Sequence, residues 1–319
     1  MYKNHKIIVI IPVFNEENTI AAVIRDIPPY IDGIIVIDDG SGDRSAEIAE
    51  QNGAKVVKHP RNRGVGASFQ TGLTAAAASN PDILINIDAD GQFDPRDMQK
   101  LIDPIVEKRG DFVTASRFMD PDYRPDGSRL KFWGNQLMSY LVSKISGQKF
   151  HDVSCGFRAY SREALLRLNI FGAFTYTHET FLDFSIKNIP IVEIPIRLKG
   201  PRTHGKSKVA SNLFKYAFKT MKIIMKTLRD FKPLRLFGFI SGLMFALGGL
   251  FGVFLFIHYI HTGGFFPHKW AGFLSGFLVL LSLLALLTGF ILDMFARMRL
   301  NQEEMLYYMK RRFLKDKQK

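Results

Sequence analysis

Residues 237–257 and 270–292 of this 319-residue chain contain no Asp, Glu, Lys or Arg. Each matches the run of about 20 apolar residues that carries a helix across a bilayer's hydrocarbon core. In lipid every backbone N–H and C=O has to be satisfied within the segment, which confines such a run to a helix. A soluble core helix of this length normally keeps a charged face, and neither segment has one. The pair, joined by a short polar turn, predicts a transmembrane hairpin over 236–294, with spans at about 236–258 and 270–293.

Lys and Arg outnumber Asp and Glu by 43 to 30, a formal net charge of +13. A basic excess can signal nucleic acid, but its placement here argues for membrane topology. Lys215, Lys219, Lys222, Lys226, Arg229, Lys232 and Arg235 lead into the first span. Arg297, Arg299, Lys310, Arg311, Arg312, Lys315, Lys317 and Lys319 follow the second, while the loop 261–269 holds only Lys269. Positive charge collects on the cytoplasmic side of membrane proteins. The expectation is an integral protein of a plasma (cytoplasmic) or ER-type membrane, with its N-terminal domain and both termini cytoplasmic and no nucleic-acid partner. A single cysteine, Cys155, excludes an internal disulfide and suits a reducing compartment. The apolar run near the N-terminus passes straight into a polar helix start, which is not a signal-peptide pattern.

The first 210 residues read as α/β protein. Apolar runs at 6–14, 33–37, 55–58, 83–87 and 112–116 alternate with helical stretches expected near 15–27, 43–51, 66–78 and 95–107. Asn15 is placed to cap the first helix and Pro28-Pro29 to stop it. This alternation predicts a mostly parallel sheet covered by helices. In ILINIDADGQ, residues 83–92, the uninterrupted apolar run means a strand buried on both faces. It breaks off at Asp88 and Asp90, and ligands of open α/β sheets bind at the carboxyl ends of strands. Two carboxylates followed by Gly91 and Gln92 offer oxygen donors on a turn, suited to Mg2+ or Mn2+ shared with phosphate oxygens; a plain capped turn is the competing reading. Asp38 and Asp39 end another strand in the same way. The loop 61–72, RNRGVGASFQTG, sets Gly64 and Gly66 before a helix, but its third glycine, Gly72, lies too far along for a dinucleotide fingerprint. It reads as a loop approaching phosphate or ribose, or as a plain turn.

Taken in order, IPVFNEE (11–17), IDDGSGD (37–43), RNRGVGA (61–67), DADGQ (88–92), SRF (116–118), CGFRAY (155–160) and RTHGKSK (202–208) resemble the motifs of family 2 glycosyltransferases with a GT-A fold. Within that family they resemble the dolichol-phosphate mannose synthase-like group, which glycosylates polyprenyl phosphates. The resemblance covers roughly residues 8–208 and the paired spans. It implies a Rossmann-like, mostly parallel GT-A catalytic domain over 1–210 followed by the hairpin, to which the sequence pattern adds an interfacial amphipathic helix over 211–235 and a basic tail over 295–319. It implies that Pro12, Phe14 and Glu16 line the base and ribose, that Asp39 accepts a hydrogen bond from the base, and that Asp88, Asp90 and Gln92 hold the metal and the donor diphosphate. Arg117 and Arg202 match arginines that receive the acceptor phosphate, Arg129 or Lys131 matches a third, and Ser207 belongs to the same acceptor set. Asp90 and the three arginines are the residues expected to carry catalysis. The implied reaction is inverting transfer of one hexose from a UDP- or GDP-sugar to dolichyl or undecaprenyl phosphate at the cytoplasmic face. The Q-x-x-R-W signature of processive synthases is absent, which favours a single transfer. The nucleotide base, the hexose and the prenol length stay open.

The chemistry agrees with that resemblance. Charge building on a leaving diphosphate is met by a bound metal. A hydroxyl acceptor needs a general base. A phosphate monoester, with a second pKa of about 6, is already mostly a dianion at neutral pH and needs only cations that gather and orient it, as arginine forks do. Each arginine taken alone also reads as a surface ion pair. Asp152 or Glu179 would be the base if the acceptor were a hydroxyl on a glycolipid or cell-envelope glycan; otherwise both read as structural. His178 and His204 lack the i, i+4 spacing of a metal pair and read as ordinary polar histidines. A third reading is non-enzymatic, a membrane-tethered nucleotide-sugar-binding scaffold.

Phe214, Phe218, Met221, Met225 and Leu228 form an apolar stripe beside Lys215, Lys219, Lys222, Lys226 and Arg229. That is the pattern of an interfacial helix among anionic head groups, or of a helix packed on the catalytic domain. Gly205 gives the polar RTHGKSK segment a hinge for closing over the substrates. Gly238, Gly242, Gly248, Gly249 and Gly252 on the first span permit close helix packing, and with it a homo-oligomer.

Overall fold

The structure, a computed structural model, describes residues 1–125, 129–169, 176–200, 225, 229 and 232–316. The strands β1 (Ile7–Val13), β2 (Gly33–Asp38), β3 (Lys55–Lys58), β4 (Ile83–Asn86), β5 (Phe112–Ser116), β6 (Arg158–Ser161) and β7 (Ile191–Pro195) form one sheet in the order β3-β2-β1-β4-β6-β5-β7. Every pairing is parallel except those of β6, which runs antiparallel to β4 and β5. The expected mostly parallel sheet is present. Helices α1 (Ile20–Arg25), α2 (Ser45–Gln51), α3 (Val65–Ala77), α4 (Met98–Val106), α5 (Arg129–Ser146), α6 (Arg162–Arg167) and α7 (Tyr176–Ile186) accompany it.

β1 reads IIVIIPV and is apolar on both faces, so both faces need cover. Ile7, Val9, Ile11 and Val13 join Ile20, Val23 and Ile24 of α1 and Met98, Leu101 and Ile102 of α4 in one core. Ile8 and Ile10 point to the opposite face, as the period of two requires. There α3 approaches closely at Gly72, where a Cβ would stand 2.9 Å from Ile37 Cδ1 and 3.1 Å from Ile10 Cδ1. Farther along the sheet, the Phe112 ring lies 5.0 Å from Tyr160, 5.4 Å from Phe181 and 5.1 Å from Phe184. The chain builds β1, β2 and β3 in one direction and then returns to the other side of β1 for β4. That reversal opens a crevice at the carboxyl ends of β1 and β4.

The first helix starts later than its sequence predicts, with Thr19 rather than Asn15 at its N-cap. Asn15 has a left-handed backbone at φ 56, a conformation that asparagine tolerates better than most residues. Its N–H donates to Ser41 Oγ at 3.0 Å and its side-chain oxygen accepts from Gly42 N–H at 2.8 Å, which ties the end of β1 to the end of β2. β6 and β7 lie outside the sequence expectations, because RAYS and IVEIP are short and mixed and their strand character comes from neighbours.

The chain divides into two compact units, Met1–Ala210 with Tyr307–Lys319, and Ser211–Leu306. In the second, α8 (Pro233–Thr262) and α9 (Lys269–Asp316) are long and apolar enough to cross a membrane, and only 11% of either apolar window is buried. That exposure does not suit the core helix of a soluble protein. Ser275 Oγ donates to Gly248 O at 2.8 Å, and a Cβ on Gly252 would stand 3.0 Å from the same hydroxyl. These two glycines therefore serve the packing of the hairpin on itself, while Gly238, Gly242 and Gly249 face open space. The stripe at 214–228 falls mostly outside the described residues.

α9 has 48 residues, about 70 Å of helix against a hydrocarbon core of about 30 Å. The basic stretch from residue 295 to Asp316 is its continuation, and its last turns belong to the first unit. Tyr307 is buried, donates to Glu163 Oε2 at 3.1 Å and lies 4.2 Å under the Arg167 guanidinium. Lys310 Nζ donates to Leu166 O, Leu168 O and Asn169 Oδ1, a cation at the carbonyl end of α6.

Because Phe112 is fully buried among three rings, Phe112→Ala is expected to destabilise the sheet unit by about 3–5 kcal/mol. Thermal unfolding in detergent measures it; a loss of only a few tenths would contradict this packing.

Candidate active site

The crevice gathers the acidic motifs. β4 ends at Asn86, Ile87 and Ala89 stay buried, and Asp88 and Asp90 alternate with them toward solvent. The turn is pinned on several sides. Thr19 Oγ1 donates to Ala89 O at 2.7 Å, Gln92 N–H donates to Asp90 Oδ1 at 3.1 Å, and Lys199 N–H donates to Gln92 O at 2.9 Å. Gly91, at φ 70, takes the left-handed step that lets the chain turn there. Pro12 pairs in register with Ile37 at the end of β1, and Phe14 and Glu16 follow, half-buried. Glu16 is fixed by its N–H on Ser45 Oγ at 2.8 Å.

Asp39 follows β2 and is buried with its oxygens already engaged. Oδ1 meets His59 Nδ1 at 2.7 Å and Arg63 N–H at 2.9 Å, and Oδ2 accepts from Gly64 N–H at 2.8 Å. The carboxylate thus clips the glycine loop to the end of β2, and His59 Nε2 extends the link to Thr71 Oγ1 in α3 at 2.9 Å. Two motifs that the sequence holds some 25 residues apart become one structure.

Arg117 follows β5 and is fastened rather than free. Its Nε lies 2.6 Å from Asp152 Oδ2, and one terminal nitrogen lies 2.9 Å from Asp152 Oδ1 and 2.7 Å from Ser154 Oγ. Burial works against the Arg117 charge, but Asp152 outweighs it, with Asp88 adding a smaller attraction, so its pKa rises. Burial likewise opposes the Asp152 charge, yet the Arg117 guanidinium and the hydrogen bonds hold that carboxyl below its usual range. A fully buried carboxylate tied at both oxygens and held low is a poor general base. His178 is pushed down to about 4, by burial first and then by the charge of Arg158, so it is neutral at pH 7. Among the described residues no group of three His, Cys, Asp or Glu could hold a metal alone. Asp88 and Asp90 nevertheless supply hard oxygen donors at one turn, which fits a cation that completes its shell with phosphate and water.

α5 opens at Arg129, but the side chains of Arg129 and Lys131 lie outside the described residues, as do Arg202, His204, Gly205 and Ser207. Farther along α5, Trp133, Leu137 and Tyr140 are exposed at helical spacing with Lys144. Sequence reasoning missed Arg158, fully buried in the CGFRAY motif; its signal was a lone charge within an apolar and aromatic run.

The family model described as glycosyl transferase family 2 matches residues 8–168. The chain belongs to that family. A Methanococcus voltae relative, named UDP-N-acetylglucosamine–dolichyl-phosphate N-acetylglucosaminyltransferase, is 34% identical over 177 residues, 50% of this chain and 70% of its own. A Pseudomonas paraeruginosa relative, named undecaprenyl-phosphate 4-deoxy-4-formamido-L-arabinose transferase, is 30% identical over 296 residues, 88% of this chain and 80% of its own. Among solved structures, glucosyl-3-phosphoglycerate synthase from Mycobacterium tuberculosis, crystallised with Mn2+, UDP and glucosyl-3-phosphoglycerate, matches with a TM-score of 0.53 at 23% identity, covering 70% of this chain and 79% of that one. The sheet is a GT-A fold and the family 2 chain is a glycosyltransferase, so the scaffold reading falls.

Since the folded pKa of Asp152 lies below the unfolded value near 3.8, the pair stabilises the fold above that value and loses its contribution as pH falls through the folded value. Asp152→Asn is expected to cost about 3–5 kcal/mol at pH 7, as for one partner lost from a buried pair. Its deficit should shrink as pH falls below 3.8, and thermal unfolding between pH 7 and pH 3 checks it.

Proposed function

We propose that this glycosyltransferase moves a single hexose, with inversion, from a UDP- or GDP-sugar to a polyprenyl phosphate at the cytoplasmic membrane face. One observation carries the proposal. The similarity to an undecaprenyl-phosphate transferase covers 88% of the chain and so cannot be confined to the part before α8. The dolichyl-phosphate transferase among the relatives supports the same acceptor class.

The described residues support this chemistry. Asp88 and Asp90, with Gln92, would hold Mg2+ or Mn2+, which when bound supplies Lewis-acid stabilisation of the leaving diphosphate. Pro12, Phe14 and Glu16 would bound the base and ribose, and Asp39 would accept a hydrogen bond from the base. Arg117, rigid and close enough to Asp88 to feel its charge, would orient the acceptor phosphate together with Arg129 or Lys131, Arg202 and Ser207. A phosphate dianion needs no base, which agrees with a buried Asp152 engaged by arginine. Exposed Trp133 and Tyr140, with the exposed Lys144, suit a membrane interface. The basic flanks of α8 and α9 support a cytoplasmic position for the catalytic unit, residues 1–210. The hydroxyl-acceptor reading keeps only Glu179 as its base.

The test is transfer of radiolabelled sugar from a panel of UDP- and GDP-sugars to short-chain polyprenyl phosphate, with Mg2+, Mn2+ or EDTA. The expected product is organic-extractable and acid-labile, depends on metal, and falls about a hundredfold or more with Asp90→Ala. Metal-dependent nucleotide binding without any lipid product would overturn the acceptor assignment.

A further inference from the structure

Behind Asp88 lies a cluster that the proposed reaction does not use. The Asp88 carboxylate rests against the α-carbon of Gly156, where a Cβ would stand 2.5 Å from Oδ2, 2.7 Å from Oδ1 and 2.9 Å from Cγ. Only glycine permits that approach. The turn carrying Gly156 is held at three of its carbonyls. Asn86 Nδ2 donates to Gly156 O at 2.7 Å, Arg158 Nε donates to Cys155 O at 2.7 Å, and Arg158 Nη2 donates to Val153 O at 3.2 Å. The same Nη2 reaches Thr177 O of α7 at 3.0 Å.

Arg158 is fully buried among the rings of Phe112, Tyr176 and Phe181, and among the described residues no carboxylate forms a salt bridge with it. Burying a guanidinium without a counter-ion is costly, so packing alone would favour a hydrocarbon there. What the guanidinium adds is a planar fork that binds several carbonyls at fixed spacing. Two of those carbonyls, of Val153 and Cys155, belong to the turn whose glycine backs Asp88.

We propose that Gly156 and Arg158 are positioning residues for Asp88. Arg158 pegs the 153–156 turn, and the bare Gly156 α-carbon sets where the two Asp88 oxygens stand. The inference rests on the proposed role of Asp88 as a metal and diphosphate ligand.

The test is equilibrium binding of UDP and GDP to the full-length protein in detergent, each with Mn2+ and with EDTA. In the wild type Mn2+ is expected to tighten binding of one nucleotide. Gly156→Ala is expected to weaken the Mn2+ arm about tenfold or more, as for groups that orient metal ligands, and to leave the EDTA arm unchanged. Arg158→Lys, which keeps the charge and loses the fork, is expected to weaken the same arm. Both losses should vanish in an Asp88→Ala background, because residues acting through one carboxylate are non-additive with its removal. A loss that persists in that background, or falls equally on the EDTA arm, overturns the inference as a general packing defect. Unchanged variants beside a metal-dependent wild type overturn it alone. A wild type without metal dependence removes the metal reading, and this inference with it.

Discussion

β1 pairs in parallel with β2 on one side and with β4 on the other, and the chemistry of the molecule depends on that pairing. Parallel neighbours end at the same edge, so the residues that follow each strand converge without any long side chain having to reach. Pro12 to Glu16, Asp38 and Asp39, and Asp88 to Gln92 are each within a few residues of a strand's carboxyl end. The apolar interior of β1 is closed on both faces, and close contacts such as Gly72 of α3 against Ile10 and Ile37 hold it in place. The position of the acidic turns is therefore a consequence of core packing, and their local hydrogen bonds refine it.

Most of the strand plan was legible because buried parallel strands have to be continuous apolar runs. The runs at 33–37, 55–58, 83–87 and 112–116 correspond to β2 through β5 with ends displaced by a residue at most. What was illegible shares one physical cause, dependence on partners far along the chain. β6 carries Arg158 at its first position, a poor advertisement for a central strand, and is decided by β4 and β5. Asn15 looked like a helix cap but bridges to Ser41 and Gly42. Lys310 looked like membrane-flanking charge and also caps α6 through the Leu166 and Leu168 carbonyls. Local pattern reports propensity, and these residues answer to neighbours more than 20 positions away.

The site residues show the same division. The motifs marked Asp39 and the loop after Arg61 separately, and the structure joins them through one carboxylate. With three of its roughly four lone-pair positions in use by His59, Arg63 and Gly64, Asp39 can offer little more than one further hydrogen bond. On the proposed reading that suits a single contact to a base edge, and the loop and the base would then share one carboxylate.

Arg117 and Asp152 bear on how the proposed transfer would proceed without a general base. An arginine that grips an anion from the surface has to order its side chain on each encounter, at a cost of up to about 2 kcal/mol. Arg117 is ordered already, because Asp152 and Ser154 hold two of its nitrogens. The buried acid is thereby unsuited to accept a proton and suited to aim a cation. On the proposed reaction that is the appropriate use of it: the acceptor dianion brings its own nucleophilic oxygen, and what the protein has to supply is positive charge fixed in place before the lipid arrives.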